Sequence, residues 1–294
     1  ALTAQNFTTA TSTANTAVGY LAGTELTTAV ACTFIGSNAG ANVTTGNTNT
    51  FVGSSAGVGI TGAKLTGANN TAVGQGAGQK LQGAAEGNSI LGRDAGNNVT
   101  TGVGNTLLGR NAGDTITTGV KNVIIGFSCD VGSGGLGNTI VIGDSVSAVG
   151  GNNFTFGNGT LDSNIEFGTD SITTPSDERY KEDITDATAG LAFIKDLRPV
   201  TFKWKKEKDV PSDHRAYVED SNDRVMLSQG ETNHGFIAQE VKAAIDAHSE
   251  IKDGFKMWSA DPTDGRQRLG AVSLIPMLVK AIQELEARIA TLEG

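Results

Sequence analysis

One motif constrains this chain more than any other: Asn-Thr-x-(aliphatic)-Gly-x-x-Ala-Gly, returning at a nearly fixed interval. It reads Asn15-Thr16-Ala17-Val18-Gly19 with Ala22-Gly23, and Asn49-Thr50-Phe51-Val52-Gly53 with Ala56-Gly57. It returns, with variations, from Asn70, Asn88, Asn105 and Asn122. The anchoring glycines are Gly19, Gly36, Gly53, Gly74, Gly92, Gly109, Gly126 and Gly143, spaced by 17, 17, 21, 18, 17, 17 and 17 residues. Shorter copies end at Gly157 and Gly168. A unit this short cannot enclose a core alone and must stack on its neighbours.

Each copy reads as a short β segment bounded by glycine and Asn/Thr turns. The period predicts a parallel β-roll or β-helix, a rod rather than a globule. In-register stacking is expected to place Val18, Ile35, Val52, Val73, Leu91, Leu108, Ile125 and Ile142 in one internal ladder. Asn15, Asn49, Asn70, Asn88, Asn105 and Asn122 are expected to form a second ladder of side-chain amides. Cys32 and Cys129 sit in slots five rungs apart, roughly 24 Å at ~4.8 Å per rung, too far to pair within one straight rod. Both read as small buried fillers. One aliphatic ladder with rows of alanine is a thin core, so several chains are expected to associate. The pattern resembles the β-roll heads of trimeric bacterial adhesins and the shafts of phage tail fibres.

The composition changes at Ser176. Residues 1–175 hold 33 of the 40 glycines and 14 charged residues, whereas residues 176–294 hold 7 glycines and 39 charged residues. The expected domains are a rod over 1–170 and a smaller α+β domain over 171–294 that ends in a coiled-coil helix. The net charge of −9 comes without a basic stripe, which argues against nucleic-acid binding. No apolar run is long enough for membrane insertion. His214, His234 and His248 lack metal-ligand spacing, and no metal or cofactor is expected. The chain starts at Ala1 and is already in a repeat by Asn15, so it reads as the C-terminal piece of something longer.

After Ser176 the signals alternate. Leu191, Ile194 and Leu197 share a helical face that stops at Arg198-Pro199. Val200–Trp204, Val225–Leu227 and Phe255–Trp258 read as short strands, and His234–Val241 leads into a helix reaching about Ala247. Leu278, Ile282, Leu285, Ile289 and Leu292 keep the spacing of a coiled-coil seam. Pro276 then has to sit in the first turn of that helix.

These blocks resemble the endosialidase-type intramolecular chaperone family. The matching residues are Ser176-Asp177-x-Arg179-x-Lys181-x-x-Ile184, then Leu197-Arg198-Pro199-Val200-x-Phe202-x-Trp204. They continue with Gly235-Phe236-Ile237-Ala238-Gln239-Glu240 and Leu274-Ile275-Pro276-x-Leu278-Val279-Lys280-Ala281-Ile282-x-Glu284-Leu285. The resemblance implies a homotrimeric chaperone that templates the preceding fibre and then releases itself by cutting before the motif serine. Here that bond is Pro175–Ser176, with Ser176 and Lys181 as the catalytic pair. Asp177, Arg179, Gln239 and Glu240 are motif residues in support.

A serine hydroxyl needs a base to take its proton, and a lysine serves only when neutral, through burial or a neighbouring cation. Arg179 pushes that way; Glu182 and Asp183 oppose it. A spacing of five puts two side chains ~140° apart on an ideal α-helix. The segment is therefore irregular, or Lys181 acts in an assembled interface. The same residues also read as a helix N-terminus capped by Ser176.

The expected protein is a homotrimeric phage tail-fibre segment in the virion, bound through its rod to a host-surface glycan or protein receptor. A bacterial surface adhesin and a glycan-degrading tailspike share many of these features. For the second of these, Glu25, Glu86, Asp94, Asp114, Asp130 and Asp144 are the rod's candidate acids, and no pair among them stands out.

Overall fold

The computed structural model describes residues 14–169, 171–225, 230–252 and 255–294. These fall into two compact units divided between Tyr180 and Lys181.

The first unit is a β-solenoid. Its strands are β1 (Thr16–Val18), β2 (Thr33–Ile35), β3 (Thr50–Val52), β4 (Thr71–Val73), β5 (Ser89–Leu91), β6 (Thr106–Leu108) and β7 (Val123–Ile125). Then come β8 (Thr139–Asp144), β9 (Asn153–Asn158) and β10 (Asp162–Glu166). β1 to β9 pair in parallel, each with the next, and β10 turns back antiparallel on β9. One turn of chain separates successive strands, so equivalent residues stack: Leu91 on Leu108, Leu108 on Ile125, Ile125 on Ile142. The 21-residue interval leaves this register intact. Its additional residues make a local excursion closed by an Ile60–Ala63 bridge, while Val52 still pairs with Val73.

The internal ladder is shifted by one residue from the expected one. The inward row is Ala17, Phe34, Phe51, Ala72, Ile90, Leu107, Ile124 and Val141, all buried except the partly buried Ala17. The anticipated row faces outward: Val18, Ile35, Leu91, Leu108 and Ile142 are exposed, Leu91 by 50 %, and Val52, Val73 and Ile125 are half-buried. The amide ladder explains the parity. Alternate residues of a strand share a face, and Asn88 and Ile90 are two apart. With Asn49, Asn70, Asn88, Asn105 and Asn122 fully buried, the variable x position must follow them inward. Across the turns run a second inward row of small residues, Ala22, Ala39, Ala56, Ala77, Ala95, Ala112 and Cys129, and a third of larger aliphatics, Leu26, Val43, Leu65, Leu81, Val99, Ile116 and Val131, so the core holds two aliphatic ladders rather than the one expected. The rings of Phe34 and Phe51 stack in it at 5.4 Å. Both cysteines are free and buried.

The amide ladder is fully satisfied. Asn88 Nδ2 donates to Asn70 Oδ1 at 2.9 Å and to the Gly102 carbonyl at 2.8 Å. Its Oδ1 accepts from the Asn105 backbone N–H and from Asn105 Nδ2, both at 3.0 Å. The glycine after each aliphatic residue permits close stacking: a Cβ on Gly92, whose φ is +141°, would stand 2.3 Å from the Gly109 carbonyl oxygen.

The second unit is a small α+β domain. Its helices are α1 (Leu191–Asp196), α2 (Ala238–Ala247) and α3 (Ile275–Glu293). Strands β11 (Val200–Phe202) and β12 (Asn233–Gly235) form one antiparallel pair, β13 (Trp258–Ala260) and β14 (Gln267–Leu269) another. The strand expected over Phe255–Trp258 instead starts at Trp258, where the ladder with Leu269 begins; residues 256 and 257 before it form a turn, with Met257 buried in the core. The expected strand Val225–Leu227 lies largely outside the described residues. Phe193 is fully buried at the centre of the core, with Val241, Ile245 and Met257 in the same cluster and the Phe255 ring edge-on at 5.7 Å. Pro276 lies in the first turn of α3, where its missing N–H costs nothing.

Candidate cleavage segment and chaperone core

Strand β10 is followed by a last rung contact, in which Asn164 and Thr173 exchange backbone hydrogen bonds of 2.9 and 2.8 Å. The chain then runs without regular structure through Pro175 and Ser176, makes one 3-10 turn over Glu178–Tyr180, and stays irregular as far as α1. Residues 171–176 and 178–188 are all exposed. The Pro175–Ser176 bond therefore sits in an open stretch, and so does Lys181. No α-helix spans Ser176 and Lys181, so the angular separation of an ideal helix does not apply to them.

Asp177 organises this turn. Its Oδ1 accepts from the Arg179 backbone N–H at 2.9 Å, capping the 3-10 turn from its own side chain. The guanidinium of Arg179 meets the same carboxylate, with Nε 3.0 Å from Oδ1 and Nη2 2.6 Å from Oδ2. Arg179 is thus engaged by Asp177 rather than presented as an isolated cation beside Lys181.

The later blocks meet in space. The β11–β12 ladder pairs Val200 with Gly235, which brings Arg198 beside the start of α2. There Arg198 Nε donates to Glu240 Oε2 at 3.0 Å, and a second contact joins Arg198 Nη2 to Glu240 Oε1. This hydrogen bonding holds the Glu240 carboxyl below its usual pKa. Gln239, the neighbouring motif residue, is exposed. Helix α3 reaches α1 through Glu284, whose Oε2 accepts the Leu191 backbone N–H at 3.0 Å, an N-terminal donor that a six-residue helix cannot satisfy internally. A Cβ on Gly190 would lie 2.6 Å from Glu284 Oε1, so this glycine lets α3 approach.

One contact had no local sequence signal. His248 Nε2 lies 2.8 Å from Asp196 Oδ2 and Nδ1 lies 3.1 Å from Glu250 Oε1, with the ring edge-on to Phe193. The hydrogen bond to Asp196 raises its pKa most; burial opposes this, and Glu250 adds a further upward push. The partner 52 residues away is visible only once α1 and α2 have packed.

In the rod, the pKa of Asp114 is raised by burial and further by Asp130 and Asp94, so the stacking gathers three of the scattered acids. Among the described residues no group of His, Cys, Asp and Glu could hold a metal ion, and no helix is long and apolar enough to cross a membrane.

The exposed serine at the head of this segment and the blocks joined by Arg198 and Glu240 coincide with a known family. Residues 176–250 match the family model for the chaperone of endosialidase. No curated protein and no solved structure matches the chain. The chaperone match opens on Ser176 and includes Arg198-Pro199 and Gln239-Glu240; the terminal block on α3 lies beyond it. A chaperone of endosialidase following a β-solenoid fits a protein of the tail-fibre or tailspike type.

Proposed function

We propose that this chain is a homotrimeric tail-fibre segment for host attachment, whose C-terminal chaperone, residues 171–294, assembles the rod and then cuts itself off at Pro175–Ser176. The observation that carries the cleavage is the placement of this bond, at the first residue of the chaperone match and within the exposed residues 171–176. The nucleophile directly follows the bond it cuts. Attack of Ser176 Oγ on the Pro175 carbonyl carbon closes a five-membered ring. Lys181, neutral, takes the hydroxyl proton and returns it to the departing Ser176 nitrogen. The C–N bond breaks and leaves an ester between Pro175 and Ser176 Oγ. Water hydrolyses this ester to a Pro175 carboxylate and a free Ser176 hydroxyl and amine.

Lys181 is exposed in the single chain, and a lysine base needs burial or a nearby cation. Assembly of three chains is the step that supplies such surroundings, so cleavage would follow trimerisation. The motif residues Gln239 and Glu240 support the chaperone core rather than the bond chemistry, Glu240 through Arg198.

Self-association draws support from the seam of α3, whose Ile at a and Leu at d by themselves suit two strands; the number three rests on the chaperone family match and on the short seam being outweighed by the rod. Ile275, Leu278, Ile282, Leu285, Ile289 and Leu292 are all exposed and repeat with heptad spacing. A receptor, glycan or protein, would be met along the rod, and the working location is the virion. The test is the intact mass of fresh and aged protein together with light scattering. A trimer that yields two fragments meeting at Pro175–Ser176 is expected. A stable monomer, or a cut elsewhere, overturns the proposal.

A further inference from the structure

The solenoid leaves a second apolar line uncovered. Its outward aliphatic row runs from Val18 to Ile142, one side chain per turn; Ile35, Leu91 and Leu108 are 41, 50 and 42 % exposed. Beside it, on the same face of the strands, runs a row that is hydroxylic from Thr16 to Thr106 and aliphatic at Val123 and Ile140. Neither row contains a charged residue.

We infer that this two-row face is the interface between copies of this chain, packed in parallel and in register around the trimer axis. The inference rests on the trimeric reading above and goes beyond it by naming the surface.

Two arguments select another copy as the occupant. First, the row repeats at ~4.8 Å over roughly 35 Å. A surface with matching period and length is another copy of the row itself. Second, at a symmetric contact each residue lies near its own copies, so any charge would face like charge. The face meets this condition, whereas Arg93 and Arg110, two positions past the aliphatic residues of their turns, do not.

The face also bears on register. Sliding one copy by a rung still sets aliphatic against aliphatic, so the seam holds the chains together without selecting their alignment. Selection then falls to the chaperone.

The experiment is pulsed electron–electron resonance on the full chain, spin-labelled after folding at Ile35→Cys, Leu108→Cys or Thr118→Cys, with the assembly mass measured in parallel. Cys32 and Cys129 are fully buried and stay unlabelled. Face-to-face sheets lie about 10 Å apart, so labels at positions 35 and 108 are expected within roughly 20 Å of their copies, and those at Thr118, further round the same turn, well beyond that. A trimer in which position 108 is no closer than position 118 overturns the interface and leaves the trimer standing. A trimer with only one of positions 35 and 108 close overturns the parallel register. A monomer of the unsubstituted protein overturns both. If the labelled variants fail to assemble, radical footprinting of unsubstituted protein decides instead. Ile35, Leu91 and Leu108 should be protected well below their single-chain exposure; full reactivity refutes the interface.

Discussion

Asn105 meets Asn88 twice, donating to the same Oδ1 from its backbone N–H and from its side-chain amide, each at 3.0 Å. Both side chains are fully buried, so removing one amide strands its neighbours' polar groups away from water. Asn88→Leu is expected to destabilise the rod by at least ~2 kcal/mol, since each orphaned buried group costs about 1–3 kcal/mol. The unfolding midpoint by far-UV circular dichroism measures this. A shift no larger than that of an exposed Thr118→Ala control would show that the ladder contributes little.

Gly92 and Gly150 should answer the same substitution differently. A Cβ on Gly92 would lie 2.3 Å from the Gly109 carbonyl oxygen at a φ of +141°, whereas one on Gly150 has nothing within 4 Å. Gly92→Ala is expected to cost on the order of 3 kcal/mol through strain and lost stacking. Gly150→Ala should stay within about 0.5 kcal/mol. Equal melting profiles for the two variants would contradict the stacking geometry.

Cleavage should pass through an ester. Hydroxylamine added to freshly assembled protein is expected to accelerate release and leave a hydroxamate on Pro175, readable by mass spectrometry. Ser176→Ala and Lys181→Ala should both stay intact for days. Persistent cleavage in Ser176→Ala would remove the proposed nucleophile.

The chaperone unit should lose stability as pH rises. Asp196 and Glu250 raise the pKa of His248 above its ordinary value. The stabilisation is fully present below the unfolded-state value of ~6.5 and is lost as pH climbs through the folded-state pKa. Trp204 and Trp258 are the chain's two tryptophans, so tryptophan fluorescence follows this unit alone. Its midpoint is expected to fall as pH climbs above ~6.5, and His248→Gln should flatten that fall. Parallel curves for the two proteins would exclude the contact as the source.

The chaperone should be needed to make the rod and not to keep it. Residues 1–175 expressed alone are expected to aggregate, because stacked, near-identical turns specify no unique register between chains. The rod released from folded full-length protein should melt only at a high barrier and fail to reassemble on cooling. Good recovery of trimer after melting would assign the C-terminal unit some other role.

Much of this architecture was legible in the repeat. The glycine spacing anticipated parallel turns, Asn49 to Asn122 anticipated an amide ladder, and Pro276 marked the first turn of α3. The parity of the strands was misread, since Val18 and Ala17 are both apolar and the more uniform row looked like the core. The burial of the amides decided it: Asn88 and Ile90 share a face, so Leu91 cannot. In the chaperone unit the blocks were visible but their meetings were not. Arg198 finds Glu240, Leu191 finds Glu284, and His248 finds Asp196 across 42, 93 and 52 residues. The sequence alone determined that equal turns must stack, because no single turn can bury its own apolar side chains. Which aliphatic row lies inside and which faces out, and which distant charges pair, only the tertiary structure decided, because alternation and packing act on the faces of assembled strands and helices, whereas sequence spacing records positions along the chain.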